Sequence, residues 1–239
     1  MTLRAVVVDI EGTTSPAGFV VGEMYPYSRQ RFASWLAEHA ADPDTARAVA
    51  QVRADTRQPG LAADGVVAVL NEWLDQDLKV TALKTIQGQI WARGFAEGDL
   101  VAPFFGDAVP ALRAWHEAGL GIYVYSSGSV NAQCAWFRHT ADGDLRSLIR
   151  GYFDTETAGP KRAVSSYQAI AATIGRAPGE CVFLSDLVDE LDAAREADWH
   201  TVGICRPGEP HYTRGVGDHL AANSFAHLDL TGDNPELRE

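Results

Sequence analysis

The sequence predicts an α/β fold: a doubly wound parallel sheet with an all-helical module inserted into it. Three observations carry this expectation. Nearly continuous apolar runs rich in β-branched residues recur at wide intervals. Amphipathic helical patterns lie between them. One long block, residues 17–99, holds helical patterns and no strand candidate. Strands that alternate with helices imply βαβ units, and unbroken apolar strands imply a sheet covered on both faces.

The strand candidates are "LRAVVVDI" (3–10), "LGIYVYSS" (120–127), "CVFLSD" (181–186) and "HTVGIC" (200–205). The helix in "GDAVPALRAWHEAG" opens with Asp107 as an expected N-cap and closes with Gly119 at C′. "KRAVSSYQAIAATIG" sets Val164, Tyr167, Ile170 and Ile174 at helical spacing before Gly175, and "DELDAAREAD" reads as a helix with a polar face. Within the inserted block, Phe32, Trp35 and Leu36 share one helical face. Val66, Val69, Leu70, Trp73 and Leu74 form another, and Leu83, Ile86 and Ile90 a third. The block follows directly on the loop after the first strand, so it is expected as a module inserted into the core, with core segments 1–16 and 100–239 around a helical cap at 17–99. "EGDLVAPFFGD" is the expected return linker, and the polar tail "LTGDNPELRE" is expected to fray.

Composition narrows the function. The 239 residues, 46% hydrophobic and 22% charged, describe an ordinary globular chain. Its 32 acidic against 20 basic residues give a net charge of −12 with no Lys/Arg-rich block, which argues against a nucleic-acid or anionic-membrane partner. Cys134, Cys181 and Cys205 are scattered, with no CxxC or Cys/His ligand spacing, and are expected as free thiols in a reducing cytoplasm. The N-terminal apolar run is too short for a signal peptide, and no stretch approaches a membrane span.

Ligand sites of open parallel sheets lie beyond the carboxyl ends of the strands. Here each such end is polar. The first run delivers Asp9 and Glu11 in "AVVVDIEGTTS", and the second delivers Ser126, Ser127, Gly128 and Ser129. "GPKR" sets Lys161 at the start of a helix, and the run 181–186 leads into Ser185, Asp186, Asp189 and Glu190. Singly, each has a structural explanation as a cap, a turn residue or a solvated charge; their joint occurrence at equivalent topological points favours a site. Crowded carboxylates call for a divalent cation, and hard oxygen ligands without His or Cys favour Mg²⁺ over Zn²⁺. Such a cation would bridge Asp9, Asp186 and an incoming phosphate oxygen. A carboxylate can attack phosphorus, and the hydroxyls and amides of an "SGS" turn at a helix N-terminus suit phosphate oxygens. Lys161 supplies positive charge that the acidic background lacks.

"DIEGTT" after an apolar strand, "YSSGS" at the end of a second, the isolated "GPKR" lysine and "LSDLVDEL" resemble, in that order along the whole chain, the haloacid dehalogenase superfamily. Where that superfamily usually has Asp-x-Asp, this chain has Asp9-x-Glu11. "DIEGTTS…FV…PY", "VYSSGSVNAQ", "GYFDT…GPK" and "SDLVDELDAAREA…TVGICRPGE" resemble its enolase-phosphatase (acireductone synthase) branch in methionine salvage. The resemblance implies a Rossmann-like core with a helical cap and a monomeric, Mg²⁺-dependent enzyme. Its substrate would be a phosphorylated diketone, 2,3-diketo-5-methylthiopentyl-1-phosphate, which is enolised and then dephosphorylated to an acireductone. It implies Asp9, Glu11 and Asp186 at the metal, Ser126, Ser127, Gly128 and Lys161 on the substrate, and Asp9, Glu11 and Lys161 in catalysis, with Asp9 as nucleophile. Three roles stay open for Glu11: protonating the leaving oxygen, reaching the metal, or serving the enolisation. Phe19, Val20, Tyr25 and Trp91 are candidate contacts for the methylthio group, against a competing role in helix packing. A general phosphomonoesterase or sugar-phosphate mutase on the same scaffold and a non-catalytic phosphate-binding protein are the alternatives.

Overall fold

The computed structural model describes residues 2–78 and 80–238. Two compact units emerge, one of residues 1–18 and 101–239, the other of residues 19–100.

The first unit is built on a six-stranded, wholly parallel sheet of order β3-β2-β1-β4-β5-β6. Its strands are β1 (Ala5–Val8), β2 (Gly121–Tyr125), β3 (Ile149–Phe153), β4 (Cys181–Ser185), β5 (His200–Ile204) and β6 (Leu220–Ala222). The chain winds outward from β1 through β2 to β3, then returns to β4 on the other side of β1, so the direction switches between β1 and β4. Every residue of β1, β2 and β4 is buried, which is why those runs are continuously apolar. Alternate residues serve opposite faces: Ala5, Val7, Tyr125 and Phe183 join one core with Tyr167 and Ile170 of the first flanking helix and Leu191 and Ala194 of the second. These two are α7 (Val164–Ile174) and α8 (Val188–Glu196); α5 (Ala108–Glu117) precedes β2 and α6 (Val130–Arg138) links β2 to β3, while the β5–β6 connection carries only a 3-10 turn (Tyr212–Arg214). Gly119 and Gly175 follow α5 and α7 at φ +87° and +65°, the left-handed conformation that ends a helix without Cβ strain.

Two expectations are corrected here. Asp107 does occupy the N-cap position of α5, but its carboxylate makes no capping bond; it accepts instead from Arg206, Ser224 and the Phe225 amide, because a buried guanidinium competes better for it than a helix end does. The C-terminal tail is tied down: β7 (Leu228–Asp229) and β8 (Glu236–Leu237) pair antiparallel, and Leu3 N–H donates to the Gly232 carbonyl at 3.0 Å.

The second unit holds a π-helical turn (Val20–Met24) and helices α1 (Tyr25–Glu38), α2 (Pro43–Asp55), α3 (Ala63–Asp75) and α4 (Thr81–Glu97). Its core unites Phe32 and Leu36 of α1, Val52 of α2, Val66 and Leu70 of α3, and Leu83, Ile86 and Ile90 of α4. Helix α2 starts where Asp42 accepts hydrogen bonds from the Asp44 and Thr45 amides, with Pro43 in the first turn. Tyr25 and Trp91 stack with centroids 6.4 Å apart, and Trp91 Nε1 donates to the Met24 carbonyl at 2.9 Å. Both rings are thus engaged in the unit's own packing.

Candidate active site

Register brings the polar strand ends together. Val8 of β1 lies opposite Val124 of β2 and Leu184 of β4, so Asp9 emerges between Ser126 on one side and Ser185-Asp186 on the other. The Asp9 amide still donates to the Leu184 carbonyl at 3.0 Å, extending the ladder one residue beyond β1. The chain then folds into a tight loop around the Ile10 carbonyl, which accepts from the amides of Thr13, Thr14 and Ser15 at 3.2, 3.0 and 2.9 Å. Thr14 Oγ1 donates to the Asp9 carbonyl at 3.0 Å, and Trp136 Nε1 donates to Ser15 Oγ at 3.0 Å. Gly12 sits in this loop at φ +73°, and a Cβ built on it would lie 2.2 Å from Asp186 Oδ2. Only glycine fits both the backbone conformation and the approach to that carboxylate.

Lys161 reaches the same place from the turn that precedes α7, three residues before the helix begins. Its backbone is held by the Tyr167 hydroxyl, which donates to the Lys161 carbonyl at 2.7 Å; nearby, Ser166 Oγ donates to the Pro160 carbonyl at 2.8 Å and the Tyr125 hydroxyl to the Gly159 carbonyl at 2.7 Å. The buried ammonium lies 2.7 Å from Asp9 Oδ1 and 2.7 Å from Glu190 Oε2. Burial disfavours its charge, but these two carboxylates outweigh that and raise its pKa above that of an ordinary lysine. Glu190 also accepts from Ser185 Oγ at 2.9 Å. Its carboxyl is shifted upward by burial, against the pull of Lys161.

With Lys161 divided between Asp9 and Glu190, the third buried carboxyl, Asp186, is left in surplus negative charge. Burial first, and the charges of Asp9 and Glu190 next, push its pKa up to about 7. A cluster that strains to keep its carboxylates ionised, and that offers hard carboxylate oxygens, fits a small divalent cation. Among the described residues no three His, Cys, Asp or Glu side chains are gathered into a ready-made cage. Mg²⁺ suits such a site, since it characteristically keeps several waters and takes substrate phosphate oxygens as ligands. Glu11, two residues beyond Asp9, is exposed.

At the end of β2, Ser126 is buried and its Oγ accepts from the Gly128 amide at 3.3 Å, while Ser127 is exposed. Ser129 caps α6 by accepting from the Ala132 amide at 3.3 Å. The turn is held by Gln133 Nε2, which donates to the carbonyls of Gly128 and Phe153 at 2.7 and 2.8 Å, and by Asp154, which accepts from the Val130 amide at 2.9 Å. Asp189, by contrast, lies outside the buried cluster and pairs with exposed Arg162 at 3.4 Å.

Sequence reasoning leaves Glu190 out of the site set. Its signal is an acid one helical turn beyond Asp186, on the face of α8 that turns inward. It also passes over Arg206 and Glu209, whose "RPGE" segment follows β5 directly.

The chain has relatives among known proteins along nearly its whole length. The family model described as haloacid dehalogenase-like hydrolase matches residues 3–198. The chain is 57% identical over 228 residues to the enolase-phosphatase E1 of Streptomyces avermitilis, covering 95% of each chain. It is 46% identical to an enolase-phosphatase E1 of Pseudomonas aeruginosa, covering 95% of this chain and 99% of the relative. Among solved structures, the UTR4 protein of Saccharomyces cerevisiae superposes with a TM-score of 0.80 at 30% identity, over 94% of this chain and 99% of that one. With the four motif segments at the carboxyl edge of one parallel sheet and full-length relatives at this level of identity, the chain belongs to the haloacid dehalogenase-like hydrolases and, within them, to the enolase-phosphatase E1 family.

Proposed function

We propose that the protein is the enolase-phosphatase of methionine salvage. It would convert 2,3-diketo-5-methylthiopentyl-1-phosphate to the acireductone 1,2-dihydroxy-3-keto-5-methylthiopentene and inorganic phosphate, as a Mg²⁺-dependent monomer in the cytoplasm. The observation that carries the reading is the 57% identity, over 95% of both chains, to the enolase-phosphatase E1 of Streptomyces avermitilis. No helix among the described residues is long and apolar enough to cross a membrane.

Asp9, Glu11 and Asp186 would hold the cation, whose chemistry when bound is to polarise the substrate's oxygens and offset charge as phosphate approaches. In the phosphatase half, an Asp9 carboxylate oxygen attacks phosphorus, the P–O bond to the enol breaks, and the departing oxygen takes a proton. Water then hydrolyses the aspartyl-phosphate and regenerates Asp9. Lys161, 2.7 Å from Asp9, stays protonated throughout and neutralises charge between nucleophile and phosphate. Glu190, on the other side of the ammonium, keeps it from collapsing wholly onto Asp9. Ser126, Ser127 and the Gly128 amide bind the phosphate oxygens ahead of α6. In place of holding the cation, Glu11, exposed two residues beyond the nucleophile, could deliver the proton to the leaving oxygen.

A time course on the diketone phosphate, followed by ³¹P NMR and by acireductone absorbance, tests the reading. Wild type is expected to yield both products. Asp9→Asn is expected to stay folded with phosphate release essentially abolished, and excess chelator to stop wild type until Mg²⁺ is restored. Hydrolysis of many simple monoesters without enolisation of the diketone would instead identify a general phosphomonoesterase. Unchanged turnover in Asp9→Asn, or full activity in chelator, would remove Asp9 or the metal from the mechanism.

A further inference from the structure

Beyond β5 the chain turns at once through Arg206-Pro207-Gly208-Glu209. The Glu209 amide donates to the Arg206 carbonyl at 3.1 Å, and Gly208 stands at φ +90°. Proline followed by a left-handed glycine makes this a type II turn. It sets opposite charges at its two ends, and each grips the segment that carries the nucleophile. Arg206 Nε donates to the Thr13 carbonyl at 3.1 Å. Glu209 Oε2 accepts from the Ala17 amide at 2.9 Å.

Arg206 is held through Nε and Nη1, while its buried Nη2 has no hydrogen-bond partner among the described residues. It is 5% exposed, and its Nη1 donates to both oxygens of Asp107 at 2.7 and 2.8 Å. Its guanidinium lies 4.2 Å from the Phe105 ring centre and 4.9 Å from that of Phe225. Asp107 is itself fixed by Ser224 Oγ at 2.7 Å and by the Phe225 amide. A buried cation this constrained exceeds what closing a surface turn requires. The loop it grips is one hydrogen-bonded knot around the Ile10 carbonyl. A shift of the Thr13 peptide therefore carries Gly12 against Asp186 and tilts the backbone that presents Asp9 and Glu11.

We propose that Arg206 and Glu209 are positioning residues of the catalytic loop, clamping its Thr13 and Ala17 peptides so that Asp9 and Glu11 hold their reacting geometry. Neither touches the reacting atoms. The inference rests on the function proposed above and names the residues that hold its site in register.

The test uses full-length Arg206→Lys, Asp107→Asn and Glu209→Gln beside wild type, with Mg²⁺ and the diketone phosphate. The rate is expressed per folded molecule, with folding read by circular dichroism. Lysine keeps the charge but lacks the fork that binds Thr13 and Asp107 together. Arg206→Lys and Asp107→Asn are expected to lower kcat about 10–100-fold with KM within about twofold, as misplacement of a catalytic group does. Glu209→Gln is expected to lower kcat about 3–10-fold, on the same principle, since one of two clamps remains. A purely structural role would lower the melting temperature and leave kcat per folded molecule unchanged; that result overturns the proposal. So does a rise in KM at constant kcat, which would make these residues substrate contacts, and so does failure of all three variants to fold. If wild type itself releases no phosphate from the diketone phosphate, the assigned function fails instead, and the same ratios are read with p-nitrophenyl phosphate.

Discussion

Lys161 sets its ammonium between two buried carboxylates, and the electrostatics of the site follow from how it is shared. Its bonds to Asp9 and Glu190 leave Asp186 as the group whose charge is least supported. Gly12 is the backbone answer to that arrangement, since the loop passes directly over the Asp186 carboxyl. Gly12→Ala should therefore be costly twice. A left-handed alanine adds roughly 1–2 kcal/mol of backbone strain, and its Cβ collides with Asp186 Oδ2. The expected outcome is a folded protein with a lower melting temperature and Mg²⁺ binding weakened by at least about tenfold, equivalent to about 1.4 kcal/mol, as read by isothermal titration calorimetry. Mg²⁺ affinity equal to wild type would show that the loop can retreat from Asp186 without consequence. Asp9 and Asp186 are legible in the sequence because each follows an apolar strand, where a charge has no packing explanation, and Lys161 because it stands as an isolated lysine in "GPKR" ahead of a helical pattern. Arg206 and Glu209 are not, and Glu190 is legible only as one of several acids after a strand and not as a partner of Lys161, because each acts by pairing with a residue distant in sequence, and a linear pattern does not reveal which loops become neighbours. Asp107 misleads for the same reason: a carboxylate before a helix reads as a cap until a buried arginine is found against it.

At the scale of elements, burial decides what can be read in advance. β1, β2 and β4 are covered on both faces and announce themselves as unbroken apolar runs. β3 forms one edge of the sheet, with Arg150 exposed and only Phe153 fully buried, and β6 forms the other edge with three residues; neither carries a strand-like pattern long enough to notice. The β6 edge is fastened by a side-chain clip. His219, just before β6, bonds Thr201 Oγ1 of β5 through Nδ1 at 2.7 Å and Asp192 of α8 through Nε2 at 3.2 Å. Burial and then the Arg195 charge lower the His219 pKa below its ordinary 6.5, although Asp192 and Asp218 pull the other way. The folded protein thus takes up this proton less readily than the unfolded chain. The stability the clip contributes is complete above about pH 6.5 and is lost as pH falls from there through the lowered folded value. Thermal unfolding between pH 7.5 and 5 should show a steeper fall in melting temperature for wild type than for His219→Gln. Parallel curves would show that His219 does not titrate differently on folding.

At the scale of the whole molecule, the chain crosses between its two units twice, at 18/19 and at 100/101. This follows from placing an insertion directly after the nucleophile loop, so that the strand bearing Asp9 belongs to one core and the next helices to another. The helical unit contains what a fold needs locally. Its apolar faces close on one another through Phe32, Val52, Leu70 and Ile86, Asp42 caps α2, and Gly98 ends α4 at φ +82°. Its contacts join helices close in sequence, which favours fast and autonomous folding. Residues 19–100 made alone are therefore expected to be helical by circular dichroism and to melt in one cooperative transition. Leu70, fully buried at the centre of that core, supplies the internal control: Leu70→Ala should cost about 2–5 kcal/mol, the range for removing a buried leucine side chain into a partly relaxed cavity. A fragment that stays helical but melts without cooperativity, and that is indifferent to Leu70→Ala, would show that its core is not self-sufficient and that the inserted module depends on the unit it interrupts.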